Sequence, residues 1–160
     1  MFKILITRHM LDQDKEYISD GLKSTVGDCF LLEPNTFDED TLVREIVDTD
    51  VVLGSYVTPK MLEAAKQLKL IQVPWTGMDT FDFSATRGFD IPICNSHSNA
   101  DAVAELGVSL TLDLIKKVSY HDRKMRVGNW NRRQQPLNLK SGMVKGSVIC
   151  MLGCGNIGFP

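Results

Sequence analysis

The segment Ser147-Val-Ile-Cys-Met-Leu152, followed by Gly153-Cys-Gly-Asn-Ile-Gly158, carries the most specific local pattern of the sequence. An apolar run that enters three glycines at this spacing predicts a β-strand followed by a tight turn. In dinucleotide-binding folds the first glycine makes the turn, the second lets the backbone approach a pyrophosphate, and the third allows close helix–strand packing. The residues alone leave two interpretations open, namely a cofactor turn or a loop that closes a small α/β domain.

The composition is that of a globular protein, with 43% hydrophobic residues, 24% charged residues and a formal net charge of −2 over 160 residues. No apolar run approaches the roughly 20 residues that a membrane helix needs, and the N-terminus is too short and polar-bounded to be a signal peptide. The four cysteines include no Cys-x-x-Cys pair. We therefore expect reduced, mostly buried thiols in a cytoplasmic protein, without a disulfide framework or a metal site.

Strand and helix patterns alternate along the first 98 residues. Apolar runs predict strands at 3–7, 28–32, 51–53, 70–73 and 91–94, and helical spacing predicts helices at 14–24, 37–47 and 59–67, with a helical turn at 82–86. Continuous apolar strands separated by helices indicate an α/β fold with a parallel sheet that helices cover on both faces. Because ligands of such sheets bind at the carboxyl ends of the strands, four loops become candidate binding loops: 8–9, 55–57, 75–79 and 95–99.

The longest helical pattern begins after Asn99, which we predict to be its N-cap. Seven apolar side chains recur along it in two faces, one with Val103, Leu106, Leu110 and Leu114, the other with Val108, Leu112 and Ile115. A helix that is apolar on two sides is expected to be buried between two domains or two subunits. We therefore divide the chain into a domain over residues 1–98 and a second region over residues 99–160.

Helical periodicity fades from His121 to Lys145, which predicts an irregular arm leading to the last strand. This arm contains Trp130, Arg132, Arg133 and Pro136, and residues 116–145 carry a local charge of +8. A solvated arm is the simplest interpretation. Nucleic-acid binding is the less favoured one, because no nucleic-acid motif is present and the basic residues form no regular face.

From Leu68 to Gly158 the sequence resembles the NAD-dependent D-isomer-specific 2-hydroxyacid dehydrogenases. Five segments match motifs of that family in the family's order: Leu70-Ile71 leading into Thr76-Gly77-Met78-Asp79; Ala85-Thr86-Arg87-Gly88 before Ile91-Pro92-Ile93; Asn99 with Ala102-Val-Ala-Glu-Leu106; Arg126, Gly128 and Trp130; and the glycine turn Gly153–Gly158. The resemblance implies a flavodoxin-like substrate domain over residues 1–98. It also implies that residues 99–160 provide the first helix and strand of a truncated Rossmann domain that binds NAD or NADP.

The resemblance also implies roles for single residues. Thr76 and Gly77 match the loop whose backbone N–H groups hold the substrate carboxylate, and Asn99 matches a position that contacts the substrate in some members. Tyr56 and His97 lie in the candidate loops and are further candidates for substrate contact, although packing and solvation respectively explain them as simply. Six residues match cofactor positions, with Val103 beside the nicotinamide and the others in the pyrophosphate loop: Gly153, Gly155, Asn156, Ile157 and Gly158.

The implied reaction is hydride transfer between a nicotinamide and C2 of a small 2-hydroxy or 2-oxo acid. The family performs it with an arginine, a histidine and a carboxylate that raises the pKa of that histidine, and no residue here matches any of the three. We therefore expect the N-terminal half of a dehydrogenase, with no catalytic residue of its own, an incomplete cofactor site and no activity alone. The alternative is a non-catalytic remnant that binds a ligand or a partner, as a dimerisation or corepressor-like module. In either case the resemblance implies a homodimer through the helix at 99–120 and the following arm.

Overall fold

The computed structural model describes residues 2–130 and 140–159, which belong to two compact units, Met1–Ser96 and His97–Pro160. In the first unit, strands and helices alternate as the sequence pattern predicts. Its elements are β1 (Phe2–Ile6), α1 (Asp12–Thr25), β2 (Cys29–Leu32), α2 (Glu39–Glu45), β3 (Val51–Leu53), α3 (Pro59–Ala64), β4 (Leu70–Gln72) and β5 (Ile93–Cys94). Residues 83–88, close to the predicted helical turn, form turns.

The five strands form one parallel sheet in the order β2-β1-β3-β4-β5. From β1 the chain moves outward to β2 and then returns past β1 to β3, where Ile6 pairs with Leu53. The connections therefore leave β1 and β3 in opposite directions. In open α/β sheets this reversal leaves a crevice at the carboxyl ends of the two strands, where ligands bind.

Helices cover both faces of the sheet, because successive strand side chains point to opposite sides. Ile4, Ile6 and Leu53 pack with side chains of α1, such as Ile18 and Leu22. The opposite face forms the larger core, in which strand residues pack with side chains of α2 and α3; its fully buried members include Leu5, Leu42, Ile46, Val52, Met61 and Ile71. The two-faced parallel sheet predicted from the apolar strands is thus confirmed.

Local polar contacts fix the starts of the short helices. The Asp38 carboxylate accepts a hydrogen bond of 3.0 Å from the Thr41 N–H at the start of α2. The Thr58 hydroxyl accepts one of 3.3 Å from the Met61 N–H at the start of α3. The predicted end of α3 at residue 67 is wrong: the helix ends at Ala64, and beyond it the backbone bonds to other segments through Lys66 N–H, 3.2 Å from the Val47 oxygen.

In the second unit two helices follow each other, α4 (Ala100–Lys116) and α5 (Val118–Arg126). Lys117 separates them in the left-handed conformation, with φ of 59°. The Asp113 carboxylate accepts hydrogen bonds from the Ser119 N–H and hydroxyl at 2.7 and 2.9 Å, which satisfies a free donor at the start of α5. The expectation that helical structure fades at residue 121 is therefore wrong, because the arm begins as a helix. Its residues Arg132, Arg133 and Pro136 lie outside the described part of the chain.

The predicted strand at 147–152 is not formed. Its side chains are exposed, and Val148 and Leu152 retain 95% and 105% of their reference accessibility. A strand exists only beside a neighbour with which it exchanges backbone hydrogen bonds, and the described residues of this unit contain no strand. The pattern was correct in its apolar content but has no sheet to join here.

The two apolar faces of α4 are likewise uncovered in the chain. Leu106, Leu110 and Leu114 are 57%, 60% and 68% exposed on one face, and Val108 is 60% exposed on the other. The expectation that this helix is buried between two domains or two subunits stays a prediction.

The four cysteines are free thiols, as expected, but they are not mostly buried. Cys29 in β2 is partly buried, whereas Cys94, Cys150 and Cys154 are exposed. Cys94 lies in β5 at the edge of the sheet, and Cys150 lies in the segment that forms no strand. Among residues 2–130 and 140–159, three or more metal-binding side chains do not gather at one point. None of the helices in those ranges combines the length and apolarity needed to cross a bilayer.

Candidate functional site

The carboxyl ends of β1, β3 and β4 lie side by side, because these three parallel strands are neighbours in the sheet. The residues that follow them therefore emerge at one edge. They are Thr7 and Arg8 after β1, Gly54 to Tyr56 after β3, and Trp75 to Gly77 shortly after β4. This edge contains three of the sequence-predicted substrate residues, Tyr56, Thr76 and Gly77.

Hydrogen bonds hold the loop after β4 against the segment that follows β5. The Asn95 side-chain amide donates to the Thr76 carbonyl at 2.7 Å, and the Thr76 hydroxyl donates to the Ser96 carbonyl at 2.9 Å. The Ser96 N–H donates to the Trp75 carbonyl at 3.2 Å. Because the loop is bonded at two successive residues, the position of the next residue, Gly77, is fixed relative to the sheet.

Gly77 presents backbone rather than side chain at this edge. It is exposed, and a Cβ at this position would lie only 2.8 Å from the Asp79 carboxylate oxygen Oδ1. Within the described part of the chain, the N–H groups of Gly77 and Met78 donate no hydrogen bond. Two neighbouring N–H groups without a partner in a fixed loop are available as donors to a carboxylate or another small anion.

The loop after β3 is drawn close to β1 by a contact that only glycine permits. Gly54 is buried with φ of 142°, and a Cβ there would lie 2.1 Å from the Thr7 hydroxyl oxygen. Thr7 is 4% exposed, and its hydroxyl has no hydrogen-bond partner among the described residues. Tyr56, two residues beyond Gly54, is 46% exposed, so its ring lies at the surface of this edge and is not core packing.

Arg8 and His9, which follow β1, contact different partners. The Arg8 guanidinium lies over the Trp75 ring, 5.0 Å from its centroid. His9 Nδ1 lies 2.7 Å from the Glu33 carboxylate, which also binds the Lys15 ammonium at 2.7 Å. Lys15 first, then His9 and the backbone, lower the pKa of Glu33. His9 therefore contacts the end of β2, whereas Arg8 contacts the loop after β4.

The other predicted substrate residues and Val103 belong to the second unit. Asn99 is the N-cap residue of α4, as predicted, although its side chain accepts no capping hydrogen bond. Its carbonyl accepts from the Val103 N–H at 3.0 Å, and the carbonyl of the exposed His97 accepts from the Ala100 N–H at 3.1 Å. Val103, in the first turn of α4, is 36% exposed.

The glycine turn of the second unit is compact. Gly153 has φ of 94°, which favours glycine, and a Cβ on Gly158 would lie 2.8 Å from the Gly153 carbonyl oxygen. The Phe159 N–H closes the turn on the Gly155 carbonyl at 3.0 Å. Gly155, Asn156 and Ile157 are exposed between these two glycines. Gly153 thus has the positive φ expected of the first glycine of a phosphate-binding turn, and Gly158 packs on the turn's own backbone, with no strand or helix flanking the turn in the described residues.

Sequence reasoning did not find two pairings of the first unit, Arg8 with Trp75 and Asn95 with Thr76. Both join residues that lie far apart in the sequence, and they depend on the strand order. The candidate loops 8–9, 75–79 and 95–99 contain all four residues. The rule that ligands bind at the carboxyl ends of parallel strands therefore located the loops, but it did not predict which residues contact each other.

A family model for the D-isomer specific 2-hydroxyacid dehydrogenase catalytic domain matches residues 4–142. The chain belongs to this family. The matched range contains the loop after β4, the start of α4 and the whole parallel sheet from Ile4 onward. The flavodoxin-like reading of the first unit agrees with this result, as does the strand order.

Curated relatives of the chain are longer proteins with related activities. It is 28% identical over 125 residues to a hydroxypyruvate reductase of Thermotoga maritima, covering 76% of this chain and 40% of the relative. It is 30% identical over 121 residues to a glyoxylate reductase of Thermofilum pendens, covering 73% of this chain and 36% of the relative. The chain thus spans less than half the length of these two enzymes.

Solved structures of family members have the same fold. A D-isomer specific 2-hydroxyacid dehydrogenase from Lactobacillus delbrueckii ssp. bulgaricus, in an NAD-complexed form, superposes with a TM-score of 0.71 at 18% identity. That match covers 99% of this chain and 48% of the enzyme. An NAD-dependent formate dehydrogenase from Staphylococcus aureus, in complex with NAD, gives a TM-score of 0.64 at 24% identity, covering 99% and 51% of the two chains.

Proposed function

We propose that this chain supplies the substrate-binding part of an NAD(P)-dependent 2-hydroxyacid dehydrogenase, which transfers hydride between a nicotinamide and C2 of a small 2-hydroxy or 2-oxo acid. The observation that carries the proposal is the loop after β4. It presents the unpaired N–H groups of Gly77 and Met78 at the carboxyl edge of the sheet. The family match over residues 4–142 includes this loop.

In this proposal the predicted Thr76-Gly77 loop binds the carboxylate of the substrate, with Thr76 anchoring the loop and the N–H groups of Gly77 and Met78 as donors. Two N–H donors to an ionised oxygen make charge-assisted hydrogen bonds, which are about twice as strong as neutral ones. The bonds from Asn95 and to Ser96 hold the loop in place before the ligand arrives, so little ordering is needed on binding. Tyr56, exposed on the neighbouring loop, borders the substrate, and Asn99 and His97 are further proposed substrate-contacting residues.

The residues of the glycine turn fit the pyrophosphate of NAD or NADP. Gly153 has the positive φ and Gly158 has the lack of a side chain that such a turn requires. Gly155, Asn156 and Ile157 would hold the phosphates through backbone N–H groups, and Val103 would contact the nicotinamide. When bound, the cofactor supplies or accepts the hydride. This chain's own residues hold the carboxylate and so position the C2 end of the substrate.

Proton transfer and polarisation of the C2 oxygen need an acid/base group and a cation near that oxygen. No histidine or arginine of the chain matches those of the family. We therefore propose that the 160 residues bind ligand without turnover, as the N-terminal part of such an enzyme. The purified chain is mixed with NADH and glyoxylate. Oxidation of NADH faster than in buffer without the chain would contradict this part of the proposal.

Ligand binding tests the proposal directly. NADH fluorescence is titrated with the purified chain, with and without D-lactate, and saturable micromolar binding is expected if the glycine turn is competent. D-lactate binding is then measured for Gly77→Ala, whose Cβ would meet Asp79, and for the matched control Gly21→Ala, which meets nothing within 4 Å. Weaker D-lactate binding in Gly77→Ala alone is expected. The role of the loop is refuted if D-lactate binds saturably to the wild-type chain without shifting the Gly77 and Met78 amides in ¹H–¹⁵N NMR spectra.

The exposed apolar faces of α4 favour a second function, as a dimerisation module. Leu106, Leu110 and Leu114 form one exposed stripe on this helix, and contiguous apolar surface of this kind marks interaction sites. We propose that the helix and the following arm pair with a second copy of the chain. Light scattering between about 1 and 100 μM, around the Kd range of moderate dimers, should give twice the monomer mass, and Leu110→Glu should return it to the monomer. The control variant is Tyr17→Glu, on the exposed surface of α1, which should keep the dimer mass. A monomeric mass of the wild-type chain at every concentration would contradict the dimer.

A further inference from the structure

We propose that Arg8 is a specificity-determining residue that binds a second anionic group, carboxylate or phosphate, on the 2-hydroxy or 2-oxo acid. This inference rests on the proposed function, because it assumes that the first carboxylate binds at Gly77. It goes further by naming the substrate class. Acids with an anionic group beyond C2 should bind better than acids that end in a methyl or hydroxymethyl group.

Arg8 lies close to the loop that contains Gly77. Arg8 follows β1, and Trp75 and Gly77 follow β4, on opposite sides of β3 in the sheet. The Arg8 guanidinium nevertheless lies over the Trp75 ring, 5.0 Å from the centroid. The side chain therefore crosses the end of β3 and lies beside a residue only two positions before Gly77. A ligand bound at Gly77 lies within reach of this cation.

The contact with Trp75 holds the guanidinium in place. The aromatic ring attracts the cation, and among the described residues the Arg8 N–H groups bind no carboxylate. Those donors match the two oxygens of a carboxylate or the oxygens of a phosphate. Because Trp75 is itself packed against the larger core, the ring is a fixed support. Less side-chain freedom is then lost when an anion binds.

The acids near Arg8 do not neutralise its positive charge. Among the described residues Arg8 makes no ion pair with a carboxylate. Glu33, the acid that follows β2, already binds Lys15 and His9. Asp79 is the acid of the Gly77 loop and lies close to Gly77 rather than paired with Arg8. The guanidinium is therefore a cation at the ligand edge whose charge the neighbouring acids leave uncompensated.

The test compares matched pairs of acids on the full chain at constant ionic strength. D-malate differs from D-lactate by one carboxylate, and D-3-phosphoglycerate differs from D-glycerate by one phosphate. Binding is followed in two-dimensional ¹H–¹⁵N NMR spectra by the Gly77 amide and the Trp75 indole N–H. The Trp130→Phe variant assigns the indole signal, because the chain has only two tryptophans. The Gly77 amide reports the first carboxylate, and the Trp75 indole reports the anion at Arg8.

For the wild-type chain we expect about tenfold tighter binding of at least one dianionic acid than of its monoanionic partner, which is the strength of one charge-assisted interaction. Arg8→Gln should abolish that preference, and it should weaken the dianionic acid several-fold more than it weakens D-lactate. Arg44→Gln, which removes an exposed arginine of α2, should keep the preference. Which pair responds identifies the second group as carboxylate or phosphate.

Three results would overturn the inference: no preference in the wild-type chain for either pair, a preference that survives in Arg8→Gln, or an equal loss of D-lactate and D-malate in that variant. The last would mean that Arg8 binds the first carboxylate. Failure of the proposed function is a separate result, in which no acid shifts the Gly77 amide. Circular dichroism melts of each variant exclude unfolding as the cause of any loss.

Discussion

Replacing Gly54 by alanine should destabilise the first unit more than alanine at any other glycine of that unit. The new Cβ would lie 2.1 Å from the Thr7 hydroxyl oxygen, and the backbone is held at φ of 142°. Overpacking of a dense core costs about 1–3 kcal/mol, and an alanine in a conformation suited to glycine costs about another 1–3 kcal/mol. The expected loss of unfolding free energy is therefore about 2–6 kcal/mol.

A double-mutant cycle separates the two causes. Thr7→Ala removes the hydroxyl that the new methyl group would meet, so the double variant Thr7→Ala/Gly54→Ala should recover the overpacking part, about 1–3 kcal/mol. The backbone part should remain. Thr7→Ala alone should change stability little, because the lost methyl burial opposes the removal of a buried hydroxyl that has no partner among the described residues.

Urea unfolding followed by far-ultraviolet circular dichroism gives the four free energies of the cycle, with Gly21→Ala as a control. Gly21 lies inside α1 and its Cβ would meet nothing within 4 Å, so alanine there should stabilise the helix by about 0.5–1 kcal/mol. Equal stability of Gly54→Ala and the wild-type chain would refute the close approach of β1 and the loop after β3. Strict additivity in the cycle would refute the contact with Thr7.

Two further predictions concern the helix starts. The Thr36 hydroxyl, and then the Thr41 N–H and hydroxyl, lower the pKa of Asp38 to about 2. The stabilisation from its carboxylate should therefore be present above its unfolded pKa and be lost as the pH falls from about 4 to 2. An NMR titration of the Asp38 carboxyl carbon should give a midpoint near pH 2, and a midpoint near pH 4 would contradict this prediction. Thr58→Ala should lower the free energy of unfolding by about 1 kcal/mol, because it removes the hydroxyl that caps the Met61 N–H. Thr58→Ser, which keeps a hydroxyl, should retain most of that stability. Equal urea midpoints for the alanine variant and the wild-type chain would show that the cap contributes nothing.

Most of the first unit could be predicted from its sequence because its signals are local. The apolar runs at Ile4, Val52 and Ile71 form continuous buried strands, and proline at the first position of α3 marks a helix start. The strand order could not be predicted, because it depends on which way each crossover turns. For that reason Arg8 with Trp75 and Asn95 with Thr76 were invisible in the sequence, although the loops that contain them were located.

The second unit could be predicted less well because its patterns depend on distant partners. The apolar faces of α4 are present as predicted, but whether they are buried depends on a surface that the described residues do not supply. The segment 147–152 has strand composition and no neighbouring strand. The break at Lys117 arises from the bonds between Asp113 and Ser119, which no periodicity reveals. The residue roles at Gly77 and in the glycine turn came from the family resemblance and stay predictions.

The most direct test of the proposed function is the response of the Gly77 and Met78 amides to a 2-hydroxy acid. In ¹H–¹⁵N NMR spectra of the chain titrated with D-lactate, these two cross-peaks should move saturably and further than those of other exposed backbone groups. The Gly21 amide in α1 should not move. Saturable shifts confined to Gly77, Met78 and their loop would support carboxylate binding at the carboxyl edge of the sheet. Saturable shifts of cross-peaks elsewhere in the chain, without a shift of the Gly77 and Met78 amides, would contradict it.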